Sequence, residues 1–195
     1  NYFNWCAHPD GMSDAIRQLG AKRKEIIIAA QLYAHTADCA LREIAGYLAE
    51  MRTDYLDVLT FYYLENENEW ETILSKNGAM TVLEELKSVK VLRAVGVTSH
   101  QRLLAAKLAQ SDQLDCLMIR YNAAHRGAEE EVFPVTEQQR LPVISYTGLR
   151  WGALLKPTPE DPPGFRPPPA PDWYRFTLCH PSVTVSLMSP NGRAE

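Results

Sequence analysis

Two short apolar runs in this chain finish in side chains able to do chemistry. Leu92 to Val97 leads into Thr98, Ser99 and His100, and Met118-Ile119 leads into Arg120, Tyr121 and Asn122, with His125 and Arg126 just beyond. Imidazoles exchange protons near neutral pH, and guanidinium groups grip anions with paired N–H donors. Two histidines and two arginines gathered at strand ends would make an anionic-substrate pocket or an acid–base pair. The plainer alternative is loop anchoring, with Arg126 paired to Glu129 or Glu130 and His125 satisfied by a neighbouring hydrogen bond. Tyr62 offers a phenolic proton donor, or else an inward aromatic that fills space. His8, His100 and His125 lack HxH or HExxH spacing, so no metal site is expected.

Those residues need elements to hold them. Asn1 to Trp5 reads as the end of a strand, and Ser13 as the cap of a helix that runs to Leu19 and stops at Gly20. Further strands are expected at Glu25–Gln31, Tyr55–Tyr63, Val91–Val97, Leu114–Tyr121, Pro142–Tyr146 and Val183–Met188. Helical spacing links Ala37, Leu41, Ile44, Ala45 and Leu48, and a second helix spans Ala79–Ser88 with Leu83 and Leu86 turned inward. Another helix holds Leu103, Leu104 and Leu108, a further one lies within Glu129–Gln139, and Asp172–Cys179 packs Trp173 to Phe176 over the sheet. The acidic run Glu65 to Glu71 reads as a solvated loop and helix start. Eight of the fifteen residues from Pro157 to Pro171 are proline, which marks a stiff loop and a lid candidate.

Seven strands alternating with about six helices imply parallel pairing through helical crossovers. The expected fold is α/β, a (β/α)8 TIM barrel with seven of its eight strands, in one domain over residues 1–195. Active sites of such barrels lie at the carboxyl ends of the strands, where the residues above fall. Seven strands leave two unpaired edges, so the chain reads as a barrel lacking its first βα unit and its final helix. An open doubly wound sheet is the competing architecture. It calls for a glycine-rich phosphate loop, and neither GxGxxG nor GxxxxGK[ST] occurs.

Composition narrows the partners. With 195 residues, 46% of them hydrophobic, the chain can bury a core, and a net charge of −4 gives no support for nucleic acid or an anionic membrane. No apolar run approaches the roughly 20 residues that cross a bilayer. Cys6, Cys39, Cys116 and Cys179 lie far apart with no CxxC pair, which argues against a zinc or disulfide framework and for a reducing cytoplasm.

Four segments carry a resemblance. Arg52-Thr53-Asp54-Tyr55-Leu56-Asp57-Val58-Leu59 resembles the L-x-T-D-Y-I-D entry to the fourth strand of aldo-keto reductases. Val91 to Ser99 is similar to their K-V-R-A-I-G-V-S-N fifth strand, Arg120-Tyr121-Asn122 to the Q-x-E-Y-N sixth, and Val143 to Leu149 to V-I-A-Y-S-P-L on the seventh. The four occur in register over essentially the whole chain. The resemblance implies NADP(H)-dependent reduction of a small carbonyl substrate, in which a tyrosine tuned by lysine, aspartate and histidine donates the proton.

No position of that tetrad is retained by identity. The aspartate matches Asn4, the tyrosine falls near Pro9, the lysine matches Gln31 and the histidine matches Tyr62. A phenol without an adjacent lysine keeps a pKa near about 10, and each unit left unshifted is roughly 1.4 kcal/mol of anion stabilisation that the site does not supply. Ordinary aldo-keto chemistry is therefore expected to be slow or absent. A rebuilt site would use Tyr62, His100 and Arg120.

The nucleotide-binding positions match better. The family's carboxamide-binding pair corresponds to Thr98 and Ser99, and its stacking tyrosine to Tyr146, with Thr147, Gly148 and Leu149 placed to approach the pyrophosphate. Met118 stands where the family has a glutamine, and the adenine end would meet Ser189 to Glu195. Two functions follow: an NADP(H)-dependent oxidoreductase, or a barrel without catalysis that senses nucleotide or binds a partner.

Overall fold

The structure, a computed structural model, describes residues 1–189. Seven parallel strands lie in sequence order: β1 (Tyr2–Trp5), β2 (Ile27–Leu32), β3 (Leu56–Phe61), β4 (Leu92–Ser99), β5 (Cys116–Arg120), β6 (Val143–Tyr146) and β7 (Val183–Ser186). A doubly wound sheet reverses its strand order partway. This one never does, so the open-sheet alternative falls and the strands make a nearly closed barrel. Around it lie α1 (Gly11–Arg17), α2 (Ala37–Met51), α3 (Glu67–Leu74), α4 (Ala79–Ser88), α5 (Arg102–Leu108), α6 (Ala128–Glu131), α7 (Phe133–Gln139) and α8 (Ala170–Leu178).

Period-two alternation divides the strands between two cores. Trp5, Ile28, Leu59, Phe61, Val97 and Ile119 face the helices. Tyr2, Val58, Cys116, Met118, Ile144 and Val185 fill the barrel interior. Gly96 serves that interior: a Cβ there would lie 2.5 Å from Cys116 Sγ, so the position has no room for a side chain.

Several local expectations shift. Asp10, not Ser13, caps α1; Ser13 sits at the third helical position, completes a capping box and accepts a bond from Trp5 Nε1 at 3.0 Å. The inner face of α2 is Ala40, Ile44, Tyr47 and Met51, which leaves Leu41 about half exposed. Tyr47 was the missed anchor, since its hydroxyl reaches the Gln31 carbonyl at 2.8 Å. Leu103 is exposed because α5 buries Ala105, Ala106 and Leu108 instead. The helix expected within Glu129–Gln139 divides at Val132, where Pro134 follows in the first turn of α7.

Near the amino-terminal end of β3, buried Asp57 gathers three donors. It accepts from Ile28 N at 2.9 Å and pairs with Arg23 at 2.8 Å and Arg93 at 2.7 Å. Both guanidinium groups also lie over the Tyr55 ring, at 4.1 and 4.4 Å from its centroid. The lower end of the barrel is thereby locked.

Candidate active site

At the opposite end, aromatic rings line the mouth in a row. Tyr33 meets Tyr62 at 4.6 Å between centroids, Tyr62 meets Tyr63 at 4.1 Å, and Tyr63 stacks on His100 at 3.9 Å. His100 in turn stands edge-on to Tyr146 at 6.2 Å. Alternation alone would send Tyr62 and Tyr63 to opposite sides. A left-handed backbone at Tyr63, φ 45°, breaks it and packs Tyr63 against the interior cluster. Gln31 joins the row through the Tyr33 hydroxyl at 3.4 Å.

Glu65 organises the next layer. Its carboxylate accepts from His100 N at 3.1 Å and Gln101 Nε2 at 3.1 Å, and lies 3.2 Å from His100 Nδ1. This residue of the acidic run is therefore more than a solvated loop side chain. A carboxylate on Nδ1 fixes the ring's orientation and leaves Nε2 as the atom able to exchange a proton with a ligand. Burial raises the phenols of Tyr63 and Tyr146; Tyr62 adds to the first and Tyr63 to the second, with Arg120 opposing both.

Arg120, the last residue of β5, carries the mouth's positive charge. Its Nε is buried with no hydrogen-bond partner among the described residues, and its guanidinium lies 5.1 Å from the Trp151 ring centroid. Tyr2 Oη, Asn4 Oδ1 and Thr98 Oγ1 are likewise buried and unpartnered. All four occupy inward-facing strand positions, with Tyr2 at the start of β1 and Arg120 at the end of β5. Buried polar atoms are nearly always satisfied, so Asn4, Thr98 and Arg120 are candidates to meet a ligand.

His125 lies beside the mouth. Asn122 Oδ1 sits 3.1 Å from its Nδ1, while Asn122 Nδ2 donates to the Thr147 carbonyl at 2.7 Å and ties the ends of β5 and β6 together. Burial lowers the His125 pKa, and Arg120, Arg150 and Arg102 lower it further. Arg126 instead grips Glu129 with two bonds of 2.8 and 2.7 Å, and Tyr121 Oη donates to the same carboxylate at 2.7 Å. Arg126 is a loop anchor.

The nucleotide positions divide. Thr98 keeps a free hydroxyl, and Tyr146 presents a buried ring whose hydroxyl donates to the Ser99 carbonyl at 3.4 Å. Ser99 is occupied within the chain, its hydroxyl accepting from Gln101 N at 3.0 Å. Thr147, with φ 57°, opens a turn in which Gly152 N donates to the Leu149 carbonyl at 3.0 Å. Gly148 lies under Tyr174, whose ring would stand 2.9 Å from a Cβ there. Of the segment Ser189 to Glu195, all but Ser189 lies outside the described residues. Thr98 and Tyr146 fit a nicotinamide end, because one supplies an unused polar atom and the other a ring face.

Tyr33, Tyr63, Glu65 and Trp151 also belong to this site, and sequence reasoning passed over them. Tyr63 is hidden because strand alternation sends the neighbours Tyr62 and Tyr63 to opposite sides. Nothing local marked Glu65 or Trp151, which reach the mouth through loops. Among the described residues no group of three or more His, Cys, Asp or Glu side chains is placed to hold a metal ion. Nor is any helix there long and apolar enough to cross a membrane.

Comparison with known proteins agrees with this architecture. The family model described as "Aldo/keto reductase family" matches residues 12–181, and the chain belongs to that family. It superposes on an aldo-keto reductase from Bacillus halodurans in its holo form with a TM-score of 0.81, at 18% identity, covering 98% of this chain and 72% of that one. A second similar structure is an aldo-keto reductase from Klebsiella pneumoniae in complex with NADPH: TM-score 0.72, 18% identity, 92% of this chain and 65% of the other. Among curated proteins, the chain is 27% identical over 125 residues to the NADH-specific methylglyoxal reductase of Escherichia coli (strain K12). That match covers 64% of this chain and spans 37% of the relative's length.

Proposed function

We propose that this protein is a cytoplasmic NADP(H)-dependent oxidoreductase of the aldo-keto reductase type, interconverting a small carbonyl compound and its alcohol through a rebuilt proton-transfer site. The observation that carries this reading is the Glu65–His100 pair, stacked on Tyr63 and facing Tyr146, beside the free hydroxyl of Thr98. The reductase relative and the NADPH-bound structural neighbour support it. Bound NADP(H) supplies or takes up the hydride. Thr98 and Tyr146 hold its nicotinamide end, with Ser99 and Thr147 to Leu149 shaping the adjoining backbone. His100 Nε2 delivers the proton that completes the hydroxyl, Tyr62 lies beyond Tyr63 in the aromatic row, and Arg120 orients the substrate's oxygen atoms.

The test pairs binding with turnover. Saturable NADPH binding, read by fluorescence, is expected in both wild type and His100→Ala. NADPH consumption with 2-oxo carbonyl compounds should fall about 100-fold or more in the variant, as for loss of a general acid. Rapid NADPH oxidation with simple aldehydes would sink the expectation that the family's usual chemistry is absent here. A second reading, a nucleotide-sensing or partner-binding barrel, is favoured by Asn4, Gln31 and Tyr62 at the tetrad positions. It predicts NADPH binding without turnover of any carbonyl, and no binding at all would leave the partner-binding form alone.

A further inference from the structure

We propose that the Arg120–Trp151 corner of the mouth is a carboxylate subsite, and that the carbonyl substrate is a 2-oxo acid. The inference rests on the oxidoreductase reading above and adds the chemical class of what enters the site. Three observations converge. The Arg120 guanidinium has one buried nitrogen with no partner, and neither Arg120 nor Arg150 makes an ion pair among the described residues. Both lie close enough to His125 to depress its proton affinity, so positive charge gathers at this corner without an ion pair among the described residues. Arg102, the third contributor, is already committed to Glu131 through bonds of 2.7 and 3.0 Å. The nearest acid in the mouth, Glu65, is turned to His100 and Gln101.

A partly buried guanidinium with an unmet donor and an aromatic ring on one face suits a planar anion. A carboxylate meets it with two parallel N–H···O bonds in the guanidinium plane, which leaves the face contact with the ring intact. Tyr146 is the strand partner of Arg120 in the β5–β6 register and stands edge-on to His100. Arg120 and His100 therefore both neighbour that one ring, which favours a ligand whose charged and reacting carbons are adjacent. A 2-oxo acid is such a ligand, and a neutral ketone leaves the guanidinium unmet.

The experiment uses pyruvate and its neutral ester, methyl pyruvate, titrated against tryptophan fluorescence with and without NADP+, with Trp151→Phe to assign the signal. Pyruvate should bind wild type at least about tenfold more tightly than Arg120→Met, and Arg120→Lys should recover part of the difference. Methyl pyruvate should not distinguish the three. Thermal melts of each variant confirm that they are folded. Equal pyruvate affinity in wild type and Arg120→Met would overturn the subsite while saturable NADP+ binding leaves the oxidoreductase reading intact. If inorganic phosphate, not pyruvate, competes in an Arg120-dependent manner and is itself displaced by NADP+, the corner belongs to the cofactor's phosphates and the 2-oxo acid is wrong. No response to NADP+ or NADPH removes the underlying reading instead.

Discussion

The two ends of this barrel handle charge in opposite ways. At the lower end, Asp57 is buried and meets two arginines and a backbone N–H, so this buried charge has its counterparts. At the mouth, Arg120 is partly buried and lacks an acidic partner among the described residues, and Thr98 and Asn4 keep unmet polar atoms. Breaking a satisfied buried pair costs stability, whereas an unsatisfied group costs it already. The lower end is therefore organised for folding. The mouth gives up folding energy to keep donors open, which is the usual relation between a stable scaffold and a working site.

Mutations sharpen that contrast. The largest effect is expected for Asp57→Ala, which strands Arg23 in the interior and orphans Ile28 N. It should lower stability by about 3–5 kcal/mol in urea unfolding, with the midpoint shifted and the slope kept. A loss under 1 kcal/mol would mean that the lower end is not locked. Arg120→Met should move the other way, leaving stability unchanged or higher by about 1–2 kcal/mol, because an unmet buried nitrogen disappears. A clear loss of stability would show that Arg120 is a structural residue and erase the difference between the ends. Arg93→Ala is smaller still, about 0–1 kcal/mol, since that side chain is 55% exposed and Arg23 retains Asp57.

The smallest effect lies in the loop behind the mouth. Arg126, and then Tyr121, hold the Glu129 carboxyl down to about 2. Its folded pKa lies below the ordinary value of about 4.3, so its contribution is complete above that value and fades as pH falls toward about 2. The difference in melting temperature between wild type and Glu129→Gln should therefore shrink steadily between those limits. A pH-independent difference would mean that the ion pair contributes nothing. Because Glu129 is close to the surface, added salt should shrink it too.

Much of the fold was legible from residues alone, because parallel strands buried on both faces leave short apolar runs and the helices between them keep a 3.6-residue period. What period cannot fix is phase: Leu41 and Leu103 belong to correctly placed helices and yet point to solvent, since the small residues Ala40, Ala105 and Ala106 fit the sheet more closely. Strand ends pointed to His100, Arg120 and Tyr146, because barrels place their sites there, and the structure puts all three at the carboxyl ends of their strands. Tyr63 was hidden by alternation, and its left-handed backbone carries no sequence mark. Glu65 and Trp151 enter from loops, where reach is set by tertiary packing and not by spacing.

The Trp151 ring over Arg120 also decides from which direction the guanidinium is approached. A cation–π partner takes one face of the guanidinium plane, for about 0.5–1 kcal/mol at an exposed contact, and leaves the N–H edge open. A carboxylate arriving in that plane makes its paired bonds with the indole still in place. A spherical ion has no plane to match, so the corner sorts its guests by shape as well as by charge.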